Sequence, residues 1–371
     1  MKKNALFLTF QPILPCDGVS KKVFAQRKGI SQNGYECDII YPCWKNNGNL
    51  LFKINDIVLK DDVKRYALTF SRSLYDEIFE EIRRKSYKII YIRYCLNSSI
   101  AFRYFLKKCQ SMGLRVYMEI PTYPYDKEIA GLRNFIKFAW IEKLFRRCCF
   151  KYIDKVVTFS DFKYIFGKES IRIANAVSSV PPQKKQIQNS ENVIVCVAVA
   201  NIAFWHGFDR FIEGLNIYYK NKDDDKPIVL FKVIGEGDAN IMKNLKDLVS
   251  KYELDNYVTF EGSKEGYQLD SYFDEANVAI GCLACHRKNI TRIRSLKNVE
   301  YAMRGIPFIY SEESPDFDGM TFIRRIPANE DPVNVDDVVD FVQSLDLLPY
   351  QIREKAQTFT WSNQMKIVLS K

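Results

Sequence analysis

The stretch CHRKNITRIRSLKNVE, Cys285 to Glu300, places five cations, Arg287, Lys288, Arg292, Arg294 and Lys297, in a loop and the first turn of a helix. The N-terminus of a helix carries partial positive charge, so cations there raise the energy unless an anion sits among them. A nucleoside diphosphate is such an anion, bound by charge-assisted hydrogen bonds. Glu300, one turn further on, has the acceptor oxygens to hold ribose hydroxyls. The same composition also fits a solvated basic loop.

Just upstream stands Cys282-x-x-Cys285-His286, the spacing that attaches c-type haem. Haem attachment needs an oxidising compartment and a pocket for a large cofactor, and the sequence offers neither. The chain has two histidines, His206 and His286, and both follow apolar runs that read as strands. Gly18 leads into the first helix, where a missing side chain lets backbone N–H groups approach a phosphate. Gly207 follows His206. Gly235 and Gly237 follow a strand as a partial Gly-x-Gly, short of a dinucleotide fingerprint. Each glycine fits a plain turn equally well.

These residues need a scaffold, and 371 residues with 47% hydrophobic and 27% charged content supply material for two domains. No apolar run reaches the roughly 18 residues of a membrane-spanning helix. MKKNALFLTFQPILP resembles a signal peptide only superficially; it reads as a first strand cut off by Pro12 and Pro15, and the protein is expected to be cytoplasmic. Ten cysteines in that setting are expected to be thiols. The net charge of +10 is unevenly spread, +17 over residues 1–185 and −7 over 186–371. A basic half suggests an anionic surface as partner, lipid or nucleic acid.

ALFLTF, CDIIYP, YKIIYIRY, LRVYMEI and KVVTFS read as buried strands, separated by helical segments such as SLYDEIFEEIRRK. The rhythm restarts after the polar, proline-containing stretch 178–192. VIVCVAVA, IVLFKVIG, YVTFEG, VAIGCL and IPFIYSE are strands, with GFDRFIEGLNIYYKN, NIMKNLKDLVSKYE, YQLDSYFDEA and LKNVEYAMR as helices. Strand-helix alternation with continuously apolar strands predicts parallel sheets covered on both faces. The expected organisation is a domain over 1–180, a linker over 181–192, a second domain over 193–350, and helices over 351–371 that return to the first domain. Ligands of such sheets bind beyond the carboxyl ends of the strands.

The order of several segments carries a resemblance. SLKNVEYAMRGIPFI is similar to the donor-binding segment of GT-B glycosyltransferases, particularly those like family 4. GVSKKVFAQRKGISQNGYECDIIYP, DKVVTFSDF, IRIANAVS, the WHGFDR of VAVANIAFWHGFDRFIEGL, and FTWSNQM resemble further segments of that family in the same order. The resemblance implies two Rossmann-like, doubly wound α/β domains facing across a cleft, with a C-terminal helix crossing back to the first. It implies retaining transfer of a sugar from a nucleotide-diphosphate donor to a glycan or lipid-linked acceptor in surface polysaccharide synthesis, with no metal and no cofactor. Carried over by position, Glu300 binds ribose, Ser295, Leu296 and Lys297 lie against the diphosphate, Gly18 lets the first domain approach it, and Val258 to Gly262 lie near the base.

The chain also departs from the family. The usual Arg and Lys of the phosphate loop fall on Asn201 and His206, and the first glutamate of the Glu-x7-Glu pair falls on Arg292. Arg292, Arg294, Lys297 and His206 are therefore expected to supply the diphosphate's counter-charge. Glu119, in YMEIPTYPYD, replaces the usual histidine of the first domain, and Glu119 or Asp126 is expected to contact the acceptor or the reacting sugar. Asp223-Asp224-Asp225 lies in a polar turn and is read as solvated. Residues 132–155 mix Arg133, Lys137, Lys143, Arg146, Arg147 and Lys151 with Phe135, Ile136, Trp140, Leu144 and Cys148. Such a helix suits an anionic membrane surface at the inner face of the cell membrane; no nucleic-acid motif accompanies it. A GT-B sugar-nucleotide epimerase and a degenerate binding relative are the alternative readings.

Overall fold

The structure is a computed structural model that describes residues 3–14, 18–64, 71–125, 136–177, 180–185, 192–223 and 225–371. It divides into two compact units, Met1–Ala174 with Thr360–Lys371, and Asn175–Phe359.

In the first unit, β1 (Lys3–Thr9), β2 (Tyr35–Trp44), β5 (Ile89–Arg93), β6 (Arg115–Ile120), β7 (Lys155–Thr158) and β9 (Lys168–Arg172) form a parallel sheet in the order β2-β1-β5-β6-β7-β9. Its central strands read as unbroken apolar runs because both faces are covered; all five residues of β5 are buried. β3 (Leu50–Ile54) and β4 (Ile57–Val63) extend the β2 edge as an antiparallel hairpin, and β8 (Tyr164–Ile165) pairs antiparallel with β9. Helices α1 (Gly18–Gln32), α2 (Arg72–Lys85), α3 (Ile100–Ser111) and α4 (Ile136–Phe150) are the covering layers. Ser71 and Ser99 cap α2 and α3 by accepting from the Leu74 and Phe102 N–H groups, which is why those helices start where they do.

The second unit holds six parallel strands: β10 (Val193–Val199), β11 (Ile228–Ile234), β12 (Val258–Gly262), β13 (Val278–Ile280), β14 (Phe308–Tyr310) and β15 (Ile323–Arg325). Their order is β12-β11-β10-β13-β14-β15. Renumbered within the unit this is 3-2-1-4-5-6, whose order reverses between β10 and β13 and opens a crevice there. Helices α5 (Phe208–Lys220), α6 (Ala239–Lys251), α7 (Gly266–Glu275), α8 (Leu296–Arg304), α9 (Val335–Gln343) and α10 (Pro349–Lys355) complete it. Ile194, Val229, Phe231, Val278, Ile280 and Ile309 form the centre of its core.

The final helix, α11 (Trp361–Leu369), belongs to the first unit and packs on α1. Gly29 permits the approach: a Cβ there would lie 2.5 Å from the Trp361 carbonyl oxygen. Two boundaries differ from the sequence expectation. α10 stays in the second unit, because Gly305, at φ +81°, leaves room for the Pro349 carbonyl against it. The stretch 181–185, within the expected linker 181–192, is strapped to the same unit by Lys184 N–H to the Arg304 carbonyl at 2.8 Å and by Arg353 to the Pro181 carbonyl at 3.0 Å. Among the described residues no helix is long and apolar enough to cross a membrane.

Candidate functional site

The loops after β10 and β13 flank the crevice of the second sheet, and a network of packed backbone fixes them. After β10, Phe204–His206 form one 3-10 turn that Gly207 ends at φ +67°. The Arg210 side chain is fully buried and donates to the carbonyls of Leu283, Pro327 (3.0 Å) and Asp331 (2.8 Å) and to Asn329 Oδ1 (2.9 Å). It thereby ties the loop after β13 to the segment beyond β15. Asp209 and Glu330 together hold Arg287, at 2.7 and 2.5 Å.

The structure redistributes the expected cations. Arg287 is the Asp209–Glu330 partner, and Lys288 lies over the Trp205 ring at 4.2 Å. Arg292 is half exposed and paired with Glu313 at 3.1 Å, and Arg294 is partly buried and paired with Asp316. Arg292 and Arg294, expected to face a diphosphate, are thus each paired with an acidic neighbour from the loop after β14. Lys297 is different. Its Nζ is buried and has no hydrogen-bond partner. Burial lowers its pKa, and the nearby Cys282 and Cys285 work the other way.

Lys297 sits in the first turn of α8. Ser295 is the N-cap residue there, yet its hydroxyl makes no capping bond, so the leading N–H groups are not satisfied from that side chain. Next to it, Asn298 is fully buried with both amide atoms lacking a partner, and a Cβ on Gly281 would come within 3.0 Å of its Oδ1. Leu296 is exposed. Orphaned donors at a helix N-terminus beside a sheet's switch point form an anion-binding arrangement.

His206 is buried; its Nδ1 accepts the Ala203 N–H at 2.9 Å, which leaves a proton on Nε2. His286 lies on the outer side of its turn, bonded to Glu330 at 2.7 Å. The partial Gly-x-Gly has a packing explanation. A Cβ at Gly235 would fall 1.8 Å from the Ala200 carbonyl oxygen, and one at Gly237 2.2 Å from that of Ile202. Gly235 thus leaves room for the close contact of two loops. Gly262 has φ +69° and accepts the Gly235 N–H at 2.9 Å.

Glu300 is paired with Arg304 at 3.0 Å, and Arg304 also holds Asp270 at 2.7 Å. Glu300 lines a pocket of about 430 Å³ with Arg304, Asp270, Leu296, Val177 and Pro181. Sequence reasoning missed the Val177 and Pro181 wall and the acidic partners of the arginines, because nothing periodic connects those loops.

In the first unit Gly18 begins α1. Asp126 lies outside the described residues. Glu119 is fully buried: Arg93 pairs with one oxygen, while Tyr91 and Gln26 donate to the other at 2.6 Å. Arg93 and Glu119 are direct register partners on β5 and β6, which explains the pairing. Glu119, expected to contact the acceptor or the reacting sugar, thus has both oxygens engaged inside the unit. Burial, aided by Arg93 and opposed by Glu119, lowers the nearby Lys22 to about 8. In α4, Glu142 is buried and accepts from Tyr125 at 2.9 Å and the Ser98 N–H at 2.9 Å. The opposite face presents Trp140, 72% exposed, and Leu144, 70% exposed, beside exposed Lys143 and Arg147.

No protein-family model matches the chain, and no curated protein matches it in sequence. Solved structures do match over its full length. A sucrose-phosphate synthase from Thermosynechococcus elongatus is 11% identical at TM-score 0.55, covering 100% of this chain and 97% of that one. The apo lipopolysaccharide outer core galactosyltransferase WaaB is 14% identical at TM-score 0.59, covering 99% of each. HepE from Anabaena, solved in complex with UDP, is 11% identical at TM-score 0.58, covering 99% of each. At these identities the likeness establishes the fold, GT-B with two Rossmann-like domains.

Proposed function

We propose that the chain is a glycosyltransferase that moves a sugar from a nucleotide-diphosphate donor to a glycan or lipid-linked acceptor in surface polysaccharide synthesis. The observation that carries the donor half is the Lys297 ammonium, buried without a partner at the uncapped start of α8. As the bond between sugar and phosphate lengthens, negative charge grows on the leaving diphosphate. A fixed ammonium and helix N–H groups stabilise that charge more in the transition state than in the ground state. His206 adds an N–H donor in the same crevice. Glu300, in its half-apolar pocket, accepts from the ribose hydroxyls, and the volume suits a nucleoside. This chemistry calls for no protein nucleophile, which agrees with transfer by retention and without a metal.

The α4 face supports a membrane partner. Trp140, Lys143, Leu144 and Arg147 recur at the three- and four-residue spacing of one helix face, with apolar and basic side chains outward together. An anionic bilayer accepts both kinds at its surface, and a lipid-linked acceptor would be met there.

The test is thermal shift against UDP, GDP, CDP and ADP, with Glu300→Ala as control; HepE was solved with UDP, so the uridine nucleotide comes first. Stabilisation by one nucleotide that disappears in Glu300→Ala is expected. No shift with any of the four would leave the fold standing and remove the donor reading. Turnover assayed with the matching nucleotide sugar then separates a transferase from a binding relative.

A further inference from the structure

Glu300, assigned above to the ribose, does not stand alone. Arg304 closes α8 four residues later, where one helical turn brings the two side chains together. An exposed ion pair at that spacing is loose and constrains little. This one is tight on the cation's side. Arg304 is 6% exposed, its guanidinium lies over the Phe273 ring at 4.2 Å, and its Nη1 donates to Asp270 at 2.7 Å. Phe273 is itself buried, and it shares α7 with Asp270. A ring face and a carboxylate of one helix thus fix the plane of a guanidinium that the next helix carries.

The bonds from Arg304 to Glu300 are one-sided. Nε at 3.1 Å and Nη2 at 3.0 Å both reach Oε1. Among the described residues nothing donates to Oε2. The Glu300 side chain is 39% exposed, and it lines the pocket of about 430 Å³ with Val177, Pro181 and Leu296. A glutamate carboxylate left to itself turns broadly about its last torsion. Held by Oε1 it has one plane, with Oε2 left as an open acceptor. A vicinal diol suits such a group, since its two neighbouring hydroxyls donate to the lone pairs that remain. Ribose carries that diol and 2′-deoxyribose does not.

We propose that Arg304 is a positioning residue of the donor site: it clamps Glu300 by one oxygen so that the carboxylate meets the ribose diol, and the chain thereby selects ribonucleoside over 2′-deoxyribonucleoside diphosphates. Arg304 touches no substrate. It acts through Glu300, as a supporting group whose own side chain is locked by packing and hydrogen bonds. Lysine cannot take its place, because a point charge does not bond Glu300 and Asp270 at once with the geometry of a planar fork.

The inference rests on the donor reading, and the experiment separates the two. The full chain is titrated calorimetrically with whichever of UDP, GDP, CDP and ADP stabilises it, and with the 2′-deoxy form of that nucleotide. Wild type should bind the 2′-deoxy form about tenfold to a hundredfold more weakly, the loss expected for one hydrogen bond to a charged group. Glu300→Ala should bind both forms alike. In Arg304→Lys the preference for ribose should fall most of the way to that of Glu300→Ala. The ratio is the readout because lost packing alone would weaken both forms equally. The Lys184 bond to the Arg304 carbonyl is backbone only and survives the change. Arg304→Met, which keeps a stem over Phe273 and removes every donor, decides the point if a melting curve shows the lysine protein unfolded. A folded Arg304 variant with the wild-type ratio overturns the positioning role and leaves Arg304 a tie between α7 and α8. Wild type that binds a nucleotide without distinguishing ribose from 2′-deoxyribose overturns the inference and leaves nucleotide binding standing. Wild type that binds none of the four overturns the donor reading, and the inference with it.

Discussion

Gly207 and Ala284 touch backbone to side chain across the crevice of the second sheet: a Cβ on the glycine would sit 2.9 Å from that of the alanine, and 3.0 Å from the Leu283 carbonyl carbon. The glycine also holds φ +67°, a conformation that costs any other residue. Gly207→Ala is expected to destabilise the second unit by about 1–3 kcal/mol, strain and clash together. Urea unfolding measures it. A change below about 0.5 kcal/mol would mean that the two loops are not in close contact.

Lys297 makes a sharper case. Lys297→Met keeps the length and apolar stem and removes a buried charge with no partner, so the apo protein should be no less stable. Nucleotide affinity should fall about tenfold to a hundredfold, as expected for one charge-assisted hydrogen bond of about 1.5–3 kcal/mol. Calorimetric titration reads the affinity and a melting curve the stability. Equal affinity in both proteins would place the diphosphate elsewhere.

Lys22 gives the first unit a pH signature. Burial lowers it from 10.5 to about 8, with Glu119 opposing and Arg93 adding. Between those values the unfolded chain holds a proton that the folded chain has released, so stability from this group rises with pH over that window. Lys184 in the second unit, lowered to about 8 by burial against Asp274, acts in the same sense. Cys37, raised to about 12 by burial, acts oppositely once pH passes the ordinary thiol value. The comparison is therefore between wild type and Lys22→Met from pH 7.5 to 9. The wild type should gain more stability over that range, and parallel curves would show that Lys22 keeps its proton.

Glu119 is predicted to matter for stability first. Glu119→Leu leaves Arg93 buried and uncompensated and strips acceptors from Tyr91 and Gln26. A loss of about 3–5 kcal/mol is expected, visible as a melting point lower by roughly 10 °C. Full stability with abolished turnover would instead return Glu119 to the reacting groups.

On the surface, Trp140→Asp with Leu144→Asp should abolish co-sedimentation with vesicles rich in anionic phospholipid while nucleotide binding stays intact. Wild-type protein that ignores such vesicles at low salt would sink the membrane reading.

Much of this arrangement could be read from the chain, and the failures have physical causes. Buried central strands such as VIVCVAV announce themselves because both faces are apolar. The β3–β4 hairpin does not, since an edge pair with one wet face mixes Lys53 and Lys60 with its apolar residues. Its signal was the Asn55-Asp56 turn, with Asn55 at φ +52°. The positions of Lys297 at a helix start and Glu300 one turn on were legible because the start of that helix follows from local sequence. The acidic partners of Arg292 and Arg294 were not legible because Glu313 and Asp316 reach them from another loop. The packing role of Gly235 was not legible because the atom needing its space, the Ala200 carbonyl oxygen, is 35 residues earlier. Tertiary partners of that kind leave no periodic trace in a single sequence.

The return of α11 to α1 sets an order in time. The second unit ends at Phe359, so all of it has been synthesised before the ribosome reaches Trp361. The first unit, although its other residues precede the second, waits for residues 360–371 before Gly29 meets the Trp361 backbone. The unit made first is thus completed only after the second, and loss of residues 360–371 would deny the amino-terminal unit, not the one synthesised just before them, a packing partner.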